Sequence, residues 1–68
     1  MDSYYVNKNA QLNGDHEVHK SGCQYMPDEG NSTYLGTFYT CSGALQEAKK
    51  YYPQSNGCYY CSYACHTT

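Results

Sequence analysis

Residues 33–52, TYLGTFYTCSGALQEAKKYY, place the clearest strand of this sequence directly before its clearest helix. The β-branched and aromatic residues of 33–39 are typical of a strand. Residues 41–52 carry apolar side chains at intervals of three and four, which predicts an amphipathic helix that Pro53 ends. The residues of this apolar stripe are Ala44, Leu45, Ala48, Tyr51 and Tyr52.

The rest of the chain predicts shorter elements around that pair. Residues 4–8 and 17–20 have strand character, and the Asn–Gly pair within residues 9–15 predicts a hairpin turn between them. Residues 55–57 predict a turn, and the cysteine-rich tail from residue 58 predicts a metal knuckle with some extended character. The expected fold is therefore α+β: a small antiparallel sheet of about three strands, one helix and a C-terminal cysteine knuckle.

The 68 residues form a single small domain, residues 1–68, that lies near the lower size limit for folding on a hydrophobic core alone. The chain has no tryptophan, one phenylalanine and ten tyrosines. With so few aliphatic side chains, most tyrosines of the helix and tail are expected in the core. A core of this kind usually needs a metal or disulfides.

Five cysteines and three histidines supply candidate metal ligands. Cys58 and Cys61 form a CxxC pair, and His19 and Cys23 form an HxxxC pair far upstream. Two close pairs brought together by the fold match the four ligands of a tetrahedral zinc site. Since four protein ligands leave no position for water, the predicted zinc is structural, and the predicted domain is a metal-binding one.

Three further residues are alternative ligands. Cys41 begins the predicted helix, where it can be a buried small side chain, a ligand or a reactive thiol. Cys65 and His66 follow the CxxC pair closely enough to reach the same ion. A further alternative is an iron–sulfur cluster held by Cys23, Cys58, Cys61 and Cys65.

Two other classes of function stay open from the residues alone. The CxxC pair can serve a thiol redox protein, although no periodic helix follows it as in a thioredoxin-type motif. The chain can also be a metal-free domain held by disulfides. The odd cysteine number and the lack of a secretory signal favour reduced thiols, and we expect a bacterial cytoplasmic protein.

Charge and hydropathy restrict the partners. The chain has four lysines, no arginine and a net charge of -2, which is unfavourable for contacts with phosphates and bases. No segment has the length and apolarity of a membrane span. The expected partner is an unknown protein or small ligand, contacted through tyrosines, and neither nucleic acid nor a membrane.

Several stretches together resemble a set of short bacterial proteins of unassigned function. These are YYVNKNAQ (4–11), GDHEVHKSGC (14–23), residues 34–53 and NGCYYCSYACHTT (56–68). The shared motifs are HEVHxxGC, LGxF and GCxxCxxxCH, and they cover nearly the whole chain. This resemblance implies no activity.

The order of ligand pairs is also similar to the Ada-type metal-binding module. That resemblance implies a short sheet and one helix around a zinc ion held by two separated ligand pairs. This chain departs from the pattern because His19 stands in place of a cysteine.

Overall fold

The computed structural model describes residues 1–67 and shows an α+β fold with one α-helix. The elements are β1 (Asp2–Asn7), β2 (His16–Lys20), β3 (Ser32–Phe38), α1 (Cys41–Tyr51) and β4 (Ser55–Gly57), with single 3₁₀ turns at Glu29–Asn31 and Tyr63–Cys65. The predicted fold class is confirmed. No helix within residues 1–67 is long and apolar enough to cross a membrane.

β1 and β2 form the predicted antiparallel hairpin. Tyr5 lies opposite His19 and Val6 opposite Val18. Gly14 has a φ of 90°, a conformation that suits glycine, and its N–H donates to the Gln11 carbonyl at 2.8 Å in the connecting turn. The local Asn–Gly signal therefore predicted this connection correctly.

β3 pairs antiparallel with the other edge of β1 and contains a bulge. The register passes from Tyr4 opposite Gly36 to Tyr5 opposite Tyr34, so Leu35 is one residue more than β1 supplies. A bulge bends a strand and re-aims a side chain. Leu35 is buried in the core, while Tyr34 is exposed.

The sheet has four strands in the order β3-β1-β2-β4, one more than the sequence predicts, and it is not purely antiparallel. β4, predicted as a turn, pairs parallel with β2, with Glu17 opposite Asn56 and Val18 opposite Gly57. Its three residues, Ser-Asn-Gly, have turn composition. Only pairing with β2, which is distant in the sequence, makes this segment a strand.

The core lies between α1 and the sheet. Ala44 and Ala48, one turn apart on α1, are fully buried, as are Val6 and Val18 of the sheet. The other core side chains are Tyr4, Leu35 and Cys41. Because small side chains line this face of the helix, the interface has no place for several large rings.

The expectation that most tyrosines of the helix and tail are core residues is wrong. Tyr52 packs against the core only in part. The others are each more than half exposed, namely Tyr51, Tyr59, Tyr60 and Tyr63.

Candidate metal centre

Two neighbouring strand ends bring the two predicted ligand pairs together. His19 lies near the end of β2, and Cys23 follows in the turn after it. Cys58 comes directly after β4, and Cys61 lies in the next turn. Since β2 and β4 are parallel, their carboxyl ends lie at the same edge of the sheet.

The four side chains offer ligand atoms that all lie within 4.8 Å of one another. The Sγ atoms of Cys23 and Cys58 are 4.0 Å apart, and Nδ1 of His19 is 3.7 Å from Sγ of Cys61. Thiolates and neutral imidazole are the ligands of choice for several transition metals. This His/Cys group can therefore hold a metal ion.

Backbone hydrogen bonds shape both turns around these ligands. The Lys20 N–H donates to Cys61 Sγ at 3.3 Å, which links the end of β2 to the CxxC turn. The Cys23 N–H donates to the Lys20 carbonyl at 3.1 Å, and the Ser62 N–H donates to the Cys58 carbonyl at 2.9 Å. Amide donors at a sulfur stabilise its thiolate form and orient it.

Burial and neighbouring thiols favour the protonated form of the Cys61 thiol unless a cation is present. His19 and Cys58 are fully buried, while Cys23 and Cys61 are half-buried. Burial, together with the Cys23 thiol, raises the pKa of Cys61 to about 12, against the lowering effect of the Lys20 amide. Burial lowers the pKa of His19, so its imidazole is neutral and free to coordinate.

The alternative ligands Cys41 and Cys65 form a disulfide with each other. The expectation of fully reduced cysteines is therefore wrong for this pair, and the iron–sulfur alternative through Cys65 has lost a ligand. The pair joins the first residue of α1 to the end of the last 3₁₀ turn, 24 positions apart in sequence. No local spacing relates two such residues, whereas the fold places them side by side.

The disulfide uses two of the five cysteines, which explains the odd cysteine number. Three cysteines are free, and they are the three that lie with His19. His66, the remaining alternative, is outside this group, and its Nδ1–H donates to the Gly57 carbonyl at 3.0 Å.

Asn56 and Gly57, which directly precede Cys58, also shape the site, although their sequence context predicts only a turn. A Cβ on Gly57 would lie 2.7 Å from the Ser62 carbonyl oxygen and 2.9 Å from Cys65 Cβ, so only glycine fits. The buried Asn56 accepts hydrogen bonds at Oδ1 from the N–H groups of Gly57 and Thr67, both at 2.9 Å. Each role depends on chain segments that return to this point only in the folded protein.

Exposed rings cover the outside of the two ligand turns. We use the name tyrosine platform for Tyr25, Tyr59, Tyr60 and Tyr63, which are 50%, 51%, 65% and 64% exposed. The Tyr25 and Tyr60 rings stack at 4.2 Å, and Tyr59 contacts Tyr60 and Tyr63 edge to face at 5.2 and 5.1 Å. Tyr25 comes two residues after Cys23, so both ligand turns contribute to one surface.

Comparison of the chain with protein-family models, with curated proteins and with solved structures finds no match. What the site does is therefore argued from its own geometry and chemistry.

Proposed function

We propose that the chain is a small binding module whose fold is closed by one structural zinc ion held by His19, Cys23, Cys58 and Cys61. The observation that supports it is the convergence of three free thiols and one buried imidazole from the ends of two parallel strands. Three thiolates with one imidazole are a common ligand set of structural zinc.

The separations between the ligand atoms support a tetrahedral ion. Zinc–sulfur bonds of about 2.3 Å at tetrahedral angles put two sulfurs about 3.8 Å apart, and a sulfur and a nitrogen about 3.6 Å apart. The Cys23–Cys58 and Cys61–His19 separations are 4.0 and 3.7 Å. These two separations differ from the tetrahedral values by a few tenths of an ångström, and the remaining ones lie within 4.8 Å.

A structural role follows from the ligand number and the size of the domain. Four protein ligands fill the coordination sphere, so no open position for a substrate or a reactive water is left. In zinc-finger peptides, metal binding contributes about 10–16 kcal/mol, which is comparable to the whole net stability of a domain. For a core made largely of valines and alanines, such a contribution decides whether the chain folds.

A thiol redox function is less well supported by the same residues. Reactive CxxC cysteines have lowered pKa values and begin a helix. Here Cys58 is followed directly by a turn and not by a helix. The other alternative, a metal-free disulfide-held domain, has one observation in its favour, which is the Cys41–Cys65 bond.

The test is native mass spectrometry of protein purified without chelator, combined with counting of free thiols after unfolding. We expect the native mass to show one zinc ion per chain. The denatured, metal-free chain should have three free thiols and a mass two hydrogens below that of the fully reduced chain. A chelator should remove the ion and strongly reduce the circular dichroism of the fold. Retention of the full spectrum after complete metal removal would falsify the structural role.

Matched cysteine variants separate the ligands from the disulfide. Cys58→Ser should purify without stoichiometric zinc, because it removes a buried ligand. The double variant Cys41→Ser/Cys65→Ser should retain one zinc ion, because neither residue belongs to the ligand group. If the double variant lost zinc while Cys58→Ser retained it, the assignment of Cys58 as a ligand and of Cys41 and Cys65 as non-ligands would be wrong.

The tyrosine platform is the proposed contact surface of the module. Residues 57–67 carry no aspartate, glutamate, lysine or arginine, so this part of the surface has hydroxyl-tipped rings without formal charge. Exposed tyrosines supply large, rigid contact area at low entropic cost. An unknown protein or a small ligand of low charge fits such a surface better than nucleic acid.

Capture from bacterial lysate tests the platform with four baits, namely the wild-type chain, the chelated wild-type chain, a platform variant and a control variant. Tyr59→Ala/Tyr63→Ala should lose partners that the wild-type chain captures, and chelated wild-type protein should lose the same ones. Tyr39→Ala is the control, because Tyr39 is 83% exposed and lies outside the platform. Equal capture by the platform variant and the control would exclude the tyrosines as the contact surface.

A further inference from the structure

Glu17 is a charged residue that lies beside the proposed ligand His19 and has no role so far in the proposed zinc site. It lies two positions before His19 on β2, so the two side chains are on the same side of the strand. Oε1 of Glu17 is 3.6 Å from Nε2 of His19. Because the imidazole is neutral, this contact is not an ion pair, unlike the contact between Glu47 and Lys50 on α1.

The two ring nitrogens of His19 have different surroundings. Nδ1 is directed at Cys61 Sγ and thus at the ligand group. Nε2 is buried, and within the described part of the chain it has no hydrogen-bond partner. A buried nitrogen without a partner loses its hydration and gains nothing in return, so such atoms call for an explanation.

Coordination through Nδ1 supplies that explanation. A neutral imidazole that binds a metal through Nδ1 carries its proton on Nε2, which becomes a donor. The only change needed is that the Glu17 carboxylate closes from 3.6 Å to an ordinary hydrogen-bond distance of about 2.9 Å. A carboxylate that accepts a hydrogen bond from this N–H fixes the tautomer and ring orientation and makes the imidazole a stronger ligand.

We propose that Glu17 is the positioning residue of the metal centre and accepts the Nε2–H of His19 when Nδ1 binds the ion. This inference rests on the proposed zinc function and adds a residue outside the four ligands. Partners of this kind typically change metal affinity by about 10- to 100-fold. Glu17 therefore sets how tightly zinc is held, without touching it.

The test measures zinc affinity by competition with a chromophoric chelator for wild-type protein, Glu17→Ala and Glu17→Gln. We expect zinc affinity to fall about 10- to 100-fold in Glu17→Ala and less in Glu17→Gln, whose amide oxygen can still accept a hydrogen bond from the Nε2–H. Glu47→Ala is the matched control, because it removes a glutamate ion pair on α1, and its affinity should equal that of the wild type.

A second readout separates positioning from general stability. In ¹H–¹⁵N spectra of the zinc-loaded wild type, the His19 ring should show coordinated Nδ1 and a slowly exchanging Nε2–H. That proton should exchange faster in Glu17→Ala, and Glu17→Gln should restore part of the protection. A structural role alone would leave the exchange rate of this proton unchanged.

The outcomes distinguish the two proposals. Zinc affinity and proton exchange in Glu17→Ala equal to wild type, or coordination through Nε2, would overturn the role of Glu17 and leave the zinc site intact. A wild-type chain that binds no zinc would overturn both. Loss of folding in Glu17→Ala would leave Glu17→Gln as the variant that decides.

Discussion

Removal of the Cys41–Cys65 disulfide tests how much of the stability of the fold comes from this covalent bond and how much from metal binding. The bond spans 24 positions, and that span contains α1, β4 and both cysteines of the CxxC pair. Closing a loop of this length lowers the entropy of the unfolded chain by an amount worth about 3.5 kcal/mol at 25 °C. We expect Cys41→Ala/Cys65→Ala to lose about that much free energy of unfolding.

This loss is large for a domain of this size. Net stabilities of domains are about 5–15 kcal/mol, and a small core with few large side chains belongs at the low end. In chelator, the double variant should therefore be largely unfolded, whereas the oxidised wild type keeps more of its structure. With zinc, both should be folded, because metal binding contributes more than the disulfide does.

Urea unfolding followed by circular dichroism, with zinc and with chelator, supplies the free energies. Ser42→Ala, an exposed substitution beside Cys41, controls for a change at the start of α1. A difference below about 1 kcal/mol between the wild type and the double variant would refute the reasoning. It would mean that the bond does not form, or that the unfolded chain is already restricted by other contacts.

Three other perturbations test the site and its surroundings. Zinc binding at pH 7 should release protons, because zinc binds thiolates and the pKa of the Cys61 thiol is raised to about 12. The His19 imidazole, whose pKa is lowered, is already neutral and releases none. Affinity should therefore fall from pH 8 to pH 6, and calorimetry in buffers of different ionisation enthalpy that detects no proton release would contradict this. Gly57→Ala should lower the free energy of unfolding by about 1–3 kcal/mol and weaken zinc binding, because the added Cβ would clash with backbone atoms. Gly30→Ala adds a Cβ in open space and should change neither the stability nor the zinc affinity. Asn56→Ala should cost a similar amount in the same urea experiment, because the buried Gly57 N–H and the part-buried Thr67 N–H lose their acceptor. An unchanged midpoint would show that water replaces it.

The elements that the sequence predicts well are those with local causes. The strand before α1, the helix itself and the hairpin around Gly14 follow from side-chain patterns and turn chemistry within a few residues. The ligand pairs were also recognisable, because His19 with Cys23 and Cys58 with Cys61 each have short metal-ligand spacing. What these patterns lack is any information on which distant segments meet.

Three features came from the tertiary structure alone: the strand at Ser55–Gly57, the Cys41–Cys65 bond and the closeness of Glu17 to His19 Nε2. Each depends on a contact that local sequence preference does not encode. Parallel pairing of β2 with β4 needs the whole crossover through α1, and it is this pairing that sets both strand ends at one edge of the sheet. The sequence by itself thus determined which residues can bind a metal, and the tertiary structure decided that they meet, because only folding brings segments some forty residues apart into contact.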